Sequence, residues 1–380
     1  MQSWAIVVGI NEYQARAKQK KLDGAVADAC EFAEWVLHPD GGNVSMERLF
    51  FWAHPWPQIE AGRLRTYADG NPPHWYSIEG DEITRAADRT RAPKALEIVR
   101  TAEMQGNLLR EARFEDPAPE ETRIFVFLAG HGLQTTLYNE ANLQTCFVAG
   151  DFRADDDHVA AGLVPCKSFR RSLRNNRFDE VLFFLDCCRT DPSSLSLSAS
   201  PICDLRLDRE MDGWSIGHAA HATGRAYETK GPPIRGAFSQ TLIDGLHGCR
   251  SANSELDVRL LDDYVRKNIG ACTTMPQSPY FEYLPVDPAP VLVRGPATKV
   301  LPNPAGPRVR LAGLADDERI ELLDGNGDSI WEGGPYPPET ADVTLPTLTK
   351  GLYALRVIGQ PERESLFSHP GTEVIDVKTS

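Results

Sequence analysis

Two short stretches of the 380-residue chain carry residue types that can do covalent chemistry. Ile124–Leu128 (Ile-Phe-Val-Phe-Leu) runs into Ala129-Gly130-His131-Gly132, and Val181–Leu185 runs into Asp186-Cys187-Cys188-Arg189. Five consecutive apolar residues precede each motif, the pattern of a strand buried on both faces of a mostly parallel sheet. Ligands in open α/β sheets bind beyond the carboxyl ends of the strands. If these two strands are neighbours, an imidazole and a thiol face each other at one sheet edge. A thiolate attacks carbonyls, whereas a free thiol near neutral pH is only a few per cent ionised. A histidine within reach raises the reactive fraction and later protonates the leaving amine. The backbone N–H groups of Gly132 and Cys188 are placed to hold the oxyanion that forms. Gly130 lets the chain turn so that His131 points across the edge. Either residue alone would read blandly, the cysteine as core filler and the histidine as a satisfied turn residue. It is the pairing that is specific.

The elements that position these motifs follow from the apolar pattern. Trp4–Ile10 reads as a first buried strand, and Asp23 as the cap of a helix carrying Val26, Cys30, Ala33 and Leu37 at helical spacing. Arg48–Trp52 is a short second strand. Ala53 to Pro93, rich in Pro, Trp and charge, reads as an inserted excursion. Leu96, Val99 and Leu109 mark a helix to about Arg113. Gln144–Gly150 is a further strand, followed by an acidic loop at Asp151 and Asp155–Asp157 and a helix with Phe169 and Leu173. Asp191–Pro201 has no apolar period and reads as an exposed loop. Trp214–Ala220 is a strand, and Gly236–Gly248 and Leu256–Lys267 are helices. The alternation predicts an α/β three-layer domain around a mostly parallel sheet over residues 1–290. Pro285–Pro307 carries seven prolines, so residues 291–307 read as a linker. Short alternating segments then predict a small all-β sandwich over residues 308–380.

Composition narrows the function. Hydrophobic residues at 41% and charged residues at 25% are ordinary for a soluble domain. A net charge of −14 argues against direct nucleic-acid binding. No apolar run approaches the ~20 residues that span a bilayer. Residues 1–9 lack a basic region and a cleavage site, so a cytoplasmic protein is expected. Eight scattered cysteines suit reduced thiols better than a disulfide framework. Without C-x-x-C, H-E-x-x-H, a phosphate-binding lysine loop or G-x-G-x-x-G, no metal and no cofactor is expected.

Ala129-Gly130-His131-Gly132 and Asp186-Cys187-Cys188-Arg189 resemble the two signatures of the caspase/metacaspase clan of cysteine peptidases. Ala5-Ile6-Val7-Val8-Gly9-Ile10-Asn11-Glu12-Tyr13 with Leu22-Asp23-Gly24-Ala25-Val26-Ala27-Asp28-Ala29 is similar to the start of its bacterial, metacaspase-like members. So are Arg225-Ala226-Tyr227-Glu228 and Gly236–Leu242, and the match runs in order over about residues 3 to 284. The resemblance implies a caspase-like fold, His131 as base and Cys188 as nucleophile. Cys187 stands where the family usually has a small residue and reads as one. Asp186 replaces the glutamine of animal caspases; a carboxylate there repels an acidic P1 residue and pairs with Arg or Lys, the preference that likeness to metacaspases also implies. Its plain structural reading is a strand-end cap. Two departures stand out. Arg189-Thr190-Asp191 follows the nucleophile where the family often has Gly. The acidic run lies earlier than a metacaspase calcium cluster, with Val164-Pro165-Cys166 near that place, so calcium is not expected. The expectation is a regulated bacterial endopeptidase acting on protein substrates, with an activating protein partner and restraint from the Asp191–Pro201 loop, cut after Arg206 or Arg209, or from the sandwich domain. The alternatives are a caspase-fold scaffold or binding module acting through its C-terminal domain, and another Cys–His hydrolase or acyl transferase.

Overall fold

The computed structural model describes the chain except for residues 14–19, 70–75, 80–81, 86–90, 116–120, 139–142, 154–158, 176–177, 190–197, 204–212, 230–231, 252, 274, 287, 299–307, 312–317, 324–326, 335–340, 345–350, 370–374 and 377–380. Chain contacts divide it into residues 1–299 and 300–380.

The first unit opens with β1 (Gln2–Ile10), α1 (Ala25–Leu37) and β2 (Leu49–His54). Within the expected excursion stand α2 (Arg63–Asp69) and the hairpin β3 (Tyr76–Glu79) and β4 (Glu82–Arg85). Then come α3 (Ala95–Glu115), β5 (Thr122–Ala129), β6 (Gly132–Leu137), β7 (Leu143–Arg153), β8 (Val159–Pro165), α4 (Cys166–Asn175) and β9 (Glu180–Asp186). The unit finishes with β10 (Ser198–Ala199), β11 (Gly213–His218), α5 (Ala237–Gly248), β12 (Glu255–Asp257), α6 (Val258–Cys272), β13 (Tyr280–Leu284) and β14 (Val291–Arg294).

A central sheet in the order β13-β11-β9-β5-β1-β2 is parallel throughout except for the edge strand β13. Its strands are apolar without alternation because both faces are covered. Ile124, Val126 and Leu128 of β5 and Val181, Phe183 and Leu185 of β9 join a core with Ile98 and Val99 of α3 and Phe169 and Leu173 of α4. The intervening residues face α1: Phe32 stacks on Phe127 at 4.5 Å, and Trp35 meets Phe125 edge-on at 5.4 Å. Burying each such ring contributes roughly 1.5–3 kcal/mol. This is the three-layer, mostly parallel α/β architecture that the sequence predicts. No helix among the described residues is long and apolar enough to cross a membrane.

Several local expectations change. Asp23 does not cap α1. The first helical N–H groups are taken from a distance instead: Asn11 Oδ1 accepts from Val26 N (3.0 Å), and Glu228 Oε1 accepts from Asp23 N (2.7 Å) and Gly24 N (2.6 Å). β6, β7, β8 and β10 close on one another in a small barrel. The sequence reading has only β7 of these, because β6 and β8 are polar or glycine-broken. Ala199, expected in an exposed loop, is fully buried in β10. Residues 190–197, Arg206, Arg209 and Asp155–Asp157 lie outside the described residues. Val291–Arg294, expected in the proline-rich linker, pairs with β12. Arg123 explains why: its guanidinium donates to the carbonyls of Leu292 (2.9 Å) and Val291, which ties this segment to the foot of β5.

The second unit holds β15 (Arg308–Leu311), β16 (Ile320–Leu323), β17 (Ser329–Gly333), β18 (Ala341–Thr344), β19 (Gly351–Val357), β20 (Gln360–His369) and β21 (Ile375–Asp376). They form two sheets, β18-β15-β21 and β17-β16-β19-β20, and Leu322, Leu355 and Val357 are buried among them.

The cap on α1 gives a direct test. Asn11→Ala should lower the unfolding free energy by about 1 kcal/mol, the usual worth of a side-chain N-cap, read from the shift of a urea unfolding curve.

Candidate functional site

The pairing of β5 with β9 places Ala129 opposite Asp186, so the His131 and Cys188 motifs leave the sheet side by side. His131, Cys188 and Asp186 line one cleft together with Leu22, Asp28 and Glu228. Its free volume is about 80 Å³. That suits part of one side chain and is far below the roughly 300–1,000 Å³ of pockets for drug-sized ligands. Among the described residues, no three of His, Cys, Asp and Glu gather as a metal site would need.

His131 is held at two points. Its N–H donates to the Tyr13 hydroxyl (2.8 Å), and the two rings lie 5.1 Å apart. Its Nε2 meets the Lys20 carbonyl. A carbonyl only accepts, so Nε2 carries the proton and Nδ1 keeps its lone pair. Burial pulls the imidazole below its ordinary range, against the opposing effects of the Lys20 carbonyl and Glu228. The ring therefore rests neutral with one basic nitrogen free, the form a proton acceptor requires.

Cys188 is half-buried, and its S–H donates to the Ala226 carbonyl at 3.7 Å. Burial pushes its thiol up and Asp186 adds to that, while Arg225 pulls the other way. Cys187 points the opposite way, 1% exposed within the α3/α4 core, and burial pushes its thiol far above the ordinary range. Gly132 stands opposite Phe147, and Val148 N–H donates to the preceding carbonyl of His131. That makes Gly132 a non-hydrogen-bonded ladder position, so its N–H points away from β7. A Cβ at Gly132 would lie 2.5 Å from Cys187 Sγ and 2.7 Å from the Cys188 carbonyl oxygen, a contact no side chain tolerates.

The floor of the cleft is acidic. Asp186 Oδ2 accepts from the Ser239 amide (3.0 Å) and hydroxyl, in the first turn of α5. The residue thus does cap a helix, where the dipole favours negative charge, and Oδ1 is left over. Burial pushes its carboxyl up to about 6, against the two Ser239 bonds. Asp28, which the sequence reading passes over as one position of a helix, is 1% exposed at the same floor. Its Oδ2 accepts from Gly236 N (2.7 Å) and its Oδ1 from Arg235 Nε. Burial raises its carboxyl, while the guanidinium and the amide pull it back toward the charged form. Arg235 also binds Glu31 (2.6 Å). A Cβ on Gly236 would come 2.0 Å from Asp186 Oδ2. Tyr13, the Lys20 carbonyl, Ser239, Arg235 and Glu228 likewise escape sequence reading. Tyr13, Asp28, Ser239 and Glu228 do stand inside stretches that carry the family resemblance, and Asp28 is also a carboxylate among the apolar positions of α1.

Residues 2–284 match a family model described as a caspase domain. A probable protease from a Desulfuromonadales bacterium is 27% identical over 266 residues, 66% of this chain and 27% of that relative. The chain therefore spans about a quarter of the length of the curated relative it matches. A crystal structure of a protein from Geobacter sulfurreducens is similar at a TM-score of 0.44 and 13% identity, covering 80% of this chain and 100% of that one. That likeness is too slight to carry an argument.

The contrast between the adjacent thiols is testable by alkylation. Limiting iodoacetamide on the folded protein should modify Cys188 well before Cys187, as followed by peptide mass spectrometry. Equal labelling of the two would contradict their opposite orientation.

Proposed function

Because this chain belongs to the caspase-domain family of cysteine peptidases, we propose that it cuts proteins after Arg or Lys, with Cys188 as nucleophile and His131 as base. The observation that carries the reading is the meeting of His131, Cys188 and Asp186 in one small cleft. His131 Nδ1 takes the proton of the Cys188 thiol, and Sγ attacks the scissile carbonyl. The N–H groups of Gly132 and Cys188 receive the oxyanion. The imidazolium then protonates the leaving amine as the carbon–nitrogen bond breaks. Water, deprotonated by His131, hydrolyses the thioester and returns the thiol. The Lys20 carbonyl holds the Nε2 proton throughout, so the ring keeps one orientation.

A basic P1 side chain enters the acidic floor. Asp28 is already engaged by Arg235 and Gly236, so it contributes charge more than a contact. Asp186 Oδ1 is the acceptor left for the incoming guanidinium or ammonium, and such a charge-assisted bond has no equal from a neutral residue. An acidic P1 residue would meet Asp186, Asp28 and Glu228 together and be repelled.

Fluorogenic peptides that differ only at P1 test the proposal. Cys188→Ala should abolish cleavage, Cys187→Ala should retain most of it, and His131→Ala should cost at least about a hundredfold. Near-normal turnover of the His131 variant would remove it from the mechanism.

Asp186→Asn should weaken cleavage after Arg or Lys by about ten- to a thousandfold, since it leaves a substrate charge poorly paired. The same carboxylate sets a pH dependence. Its carboxyl is raised to about 6, so it is charged at neutral pH and becomes protonated as pH falls through that value. Preference for Arg over a neutral P1 should therefore decline below pH 6 in the wild type and be flat in Asp186→Asn. A wild-type preference for Asp at P1 would overturn the assignment.

A further inference from the structure

A second cavity, of about 350 Å³, opens on the α3/α4 side of the sheet and shares no residue with the cleft. Thr145 of β7, Cys166, Lys167 and Arg170 of α4, Arg189 after β9, Trp214 and His218 of β11 and Glu282 of β13 line it. Its size reaches the roughly 300–1,000 Å³ range of small-ligand pockets.

What sets this cavity apart is that its lining residues carry buried polar atoms with no partner among the described residues: Thr145 Oγ1, Arg189 Nε, Trp214 Nε1 and His218 Nδ1. Arg189 is 8% exposed and His218 4%. The Arg189 guanidinium makes one side-chain bond, from Nη1 to the Ala220 carbonyl (3.2 Å), and has no carboxylate partner among the described residues. Burial pulls its charge down. The Arg170 guanidinium lies 3.7 Å over the Trp214 ring. Among the described residues, three cationic side chains line the cavity with one carboxylate, Glu282, which stands at the rim 3.8 Å from His218 Nε2. Buried donors left unpaired are costly, and a buried unpaired guanidinium more so. The first turn of α4 also opens here, and its dipole adds positive potential.

We propose that this cavity binds the phosphate group of a small molecule or free phosphate. Polar side chains line it from β7, α4, the turn after β9 and β11, more directions than the two oxygens of a carboxylate can serve and a match for the three terminal oxygens of a phosphate. His218 reports on occupancy. Burial, Arg189 and His221 hold its imidazole down at about 3. An anion beside it favours the protonated ring and moves that value up. The site uses no residue of the proposed peptide cleavage, so it stands or falls separately.

The test is a titration of the full chain, labelled at histidine, followed by NMR, with His218→Gln identifying the His218 signal. The probes are inorganic phosphate, a nucleoside monophosphate, and acetate, each against chloride at equal ionic strength. Saturable displacement of the His218 signal by either phosphate probe, with its protonation moved to higher pH, is the expected result. Tighter binding of the nucleotide identifies an organic phosphate as the preferred source, and equal binding identifies the free anion. Arg170→Gln and Thr145→Val should each weaken phosphate about tenfold or more, with melting temperature checking the fold. Should either variant fail to fold, the wild-type titration decides alone. No displacement by phosphate, an equal response to acetate, or phosphate affinity unchanged in both folded variants would overturn the proposal.

Discussion

The parallel pairing of β5 with β9 is the constraint on which the rest depends. Six residue pairs, from Ile124 with Val181 to Ala129 with Asp186, put the ends of two apolar strands level. A shift of one residue would turn every side chain to the other face of the sheet. It would exchange the α1-facing rings with the α3/α4 core and turn the thiol at Cys188 away from the cleft. The register is therefore held by burial on both faces, and the geometry of the site comes with it. The opposite fates of Cys187 and Cys188 have the same origin, since neighbours on an extended chain face opposite sides.

Above that frame, charges from distant parts of the chain close the cleft. Asp28 on α1, Arg235 before α5, Asp186 at the end of β9 and Glu228 in the loop before Arg235 meet around the N-termini of α1 and α5. Burying carboxylates is costly unless hydrogen bonds and counter-charges compensate. Here Ser239, the Gly236 amide and Arg235 do so, and two helix dipoles help. Charge is thereby concentrated at the floor, and one oxygen of Asp186 stays open. The close approach of Gly236 to both carboxylates requires a residue without a Cβ at that point.

The second cavity lies on the other side of the turn that carries Cys188. Cys188 donates to the Ala226 carbonyl, while the next residue, Arg189, binds the Gly224 and Ala220 carbonyls. One loop, Ala220–Ala226, thus carries contacts from both adjacent side chains, one facing the cleft and the other facing the cavity. This places the unpaired donors around Arg189 one residue from the Cys188 thiol, on the face of the sheet opposite the cleft.

Both uninterrupted apolar runs, and the His131 and Cys188 motifs at their ends, were legible in the residue order alone. Five consecutive apolar residues need two covered faces, and a two-sided sheet carries its chemistry at its strand ends. Short-range pattern also marked the helices with Val99, Phe169 and Leu242 and most strands of the second unit, because burial periodicity is local. Tertiary structure decided what local pattern does not encode. It brought Asn11 and Glu228, rather than Asp23, to the start of α1, and it joined Asp28 to Arg235 across 207 residues of chain. It recruited the polar strand β6 and the glycine-containing β8 into a barrel that their own composition does not announce. It also held Val291–Arg294 against β12 through an arginine 168 residues away. The reason is common to all of these. Hydrophobic periodicity reports which face of a segment is buried, whereas the partner of a buried charge or an orphan N–H is chosen only when the folded chain brings the two together.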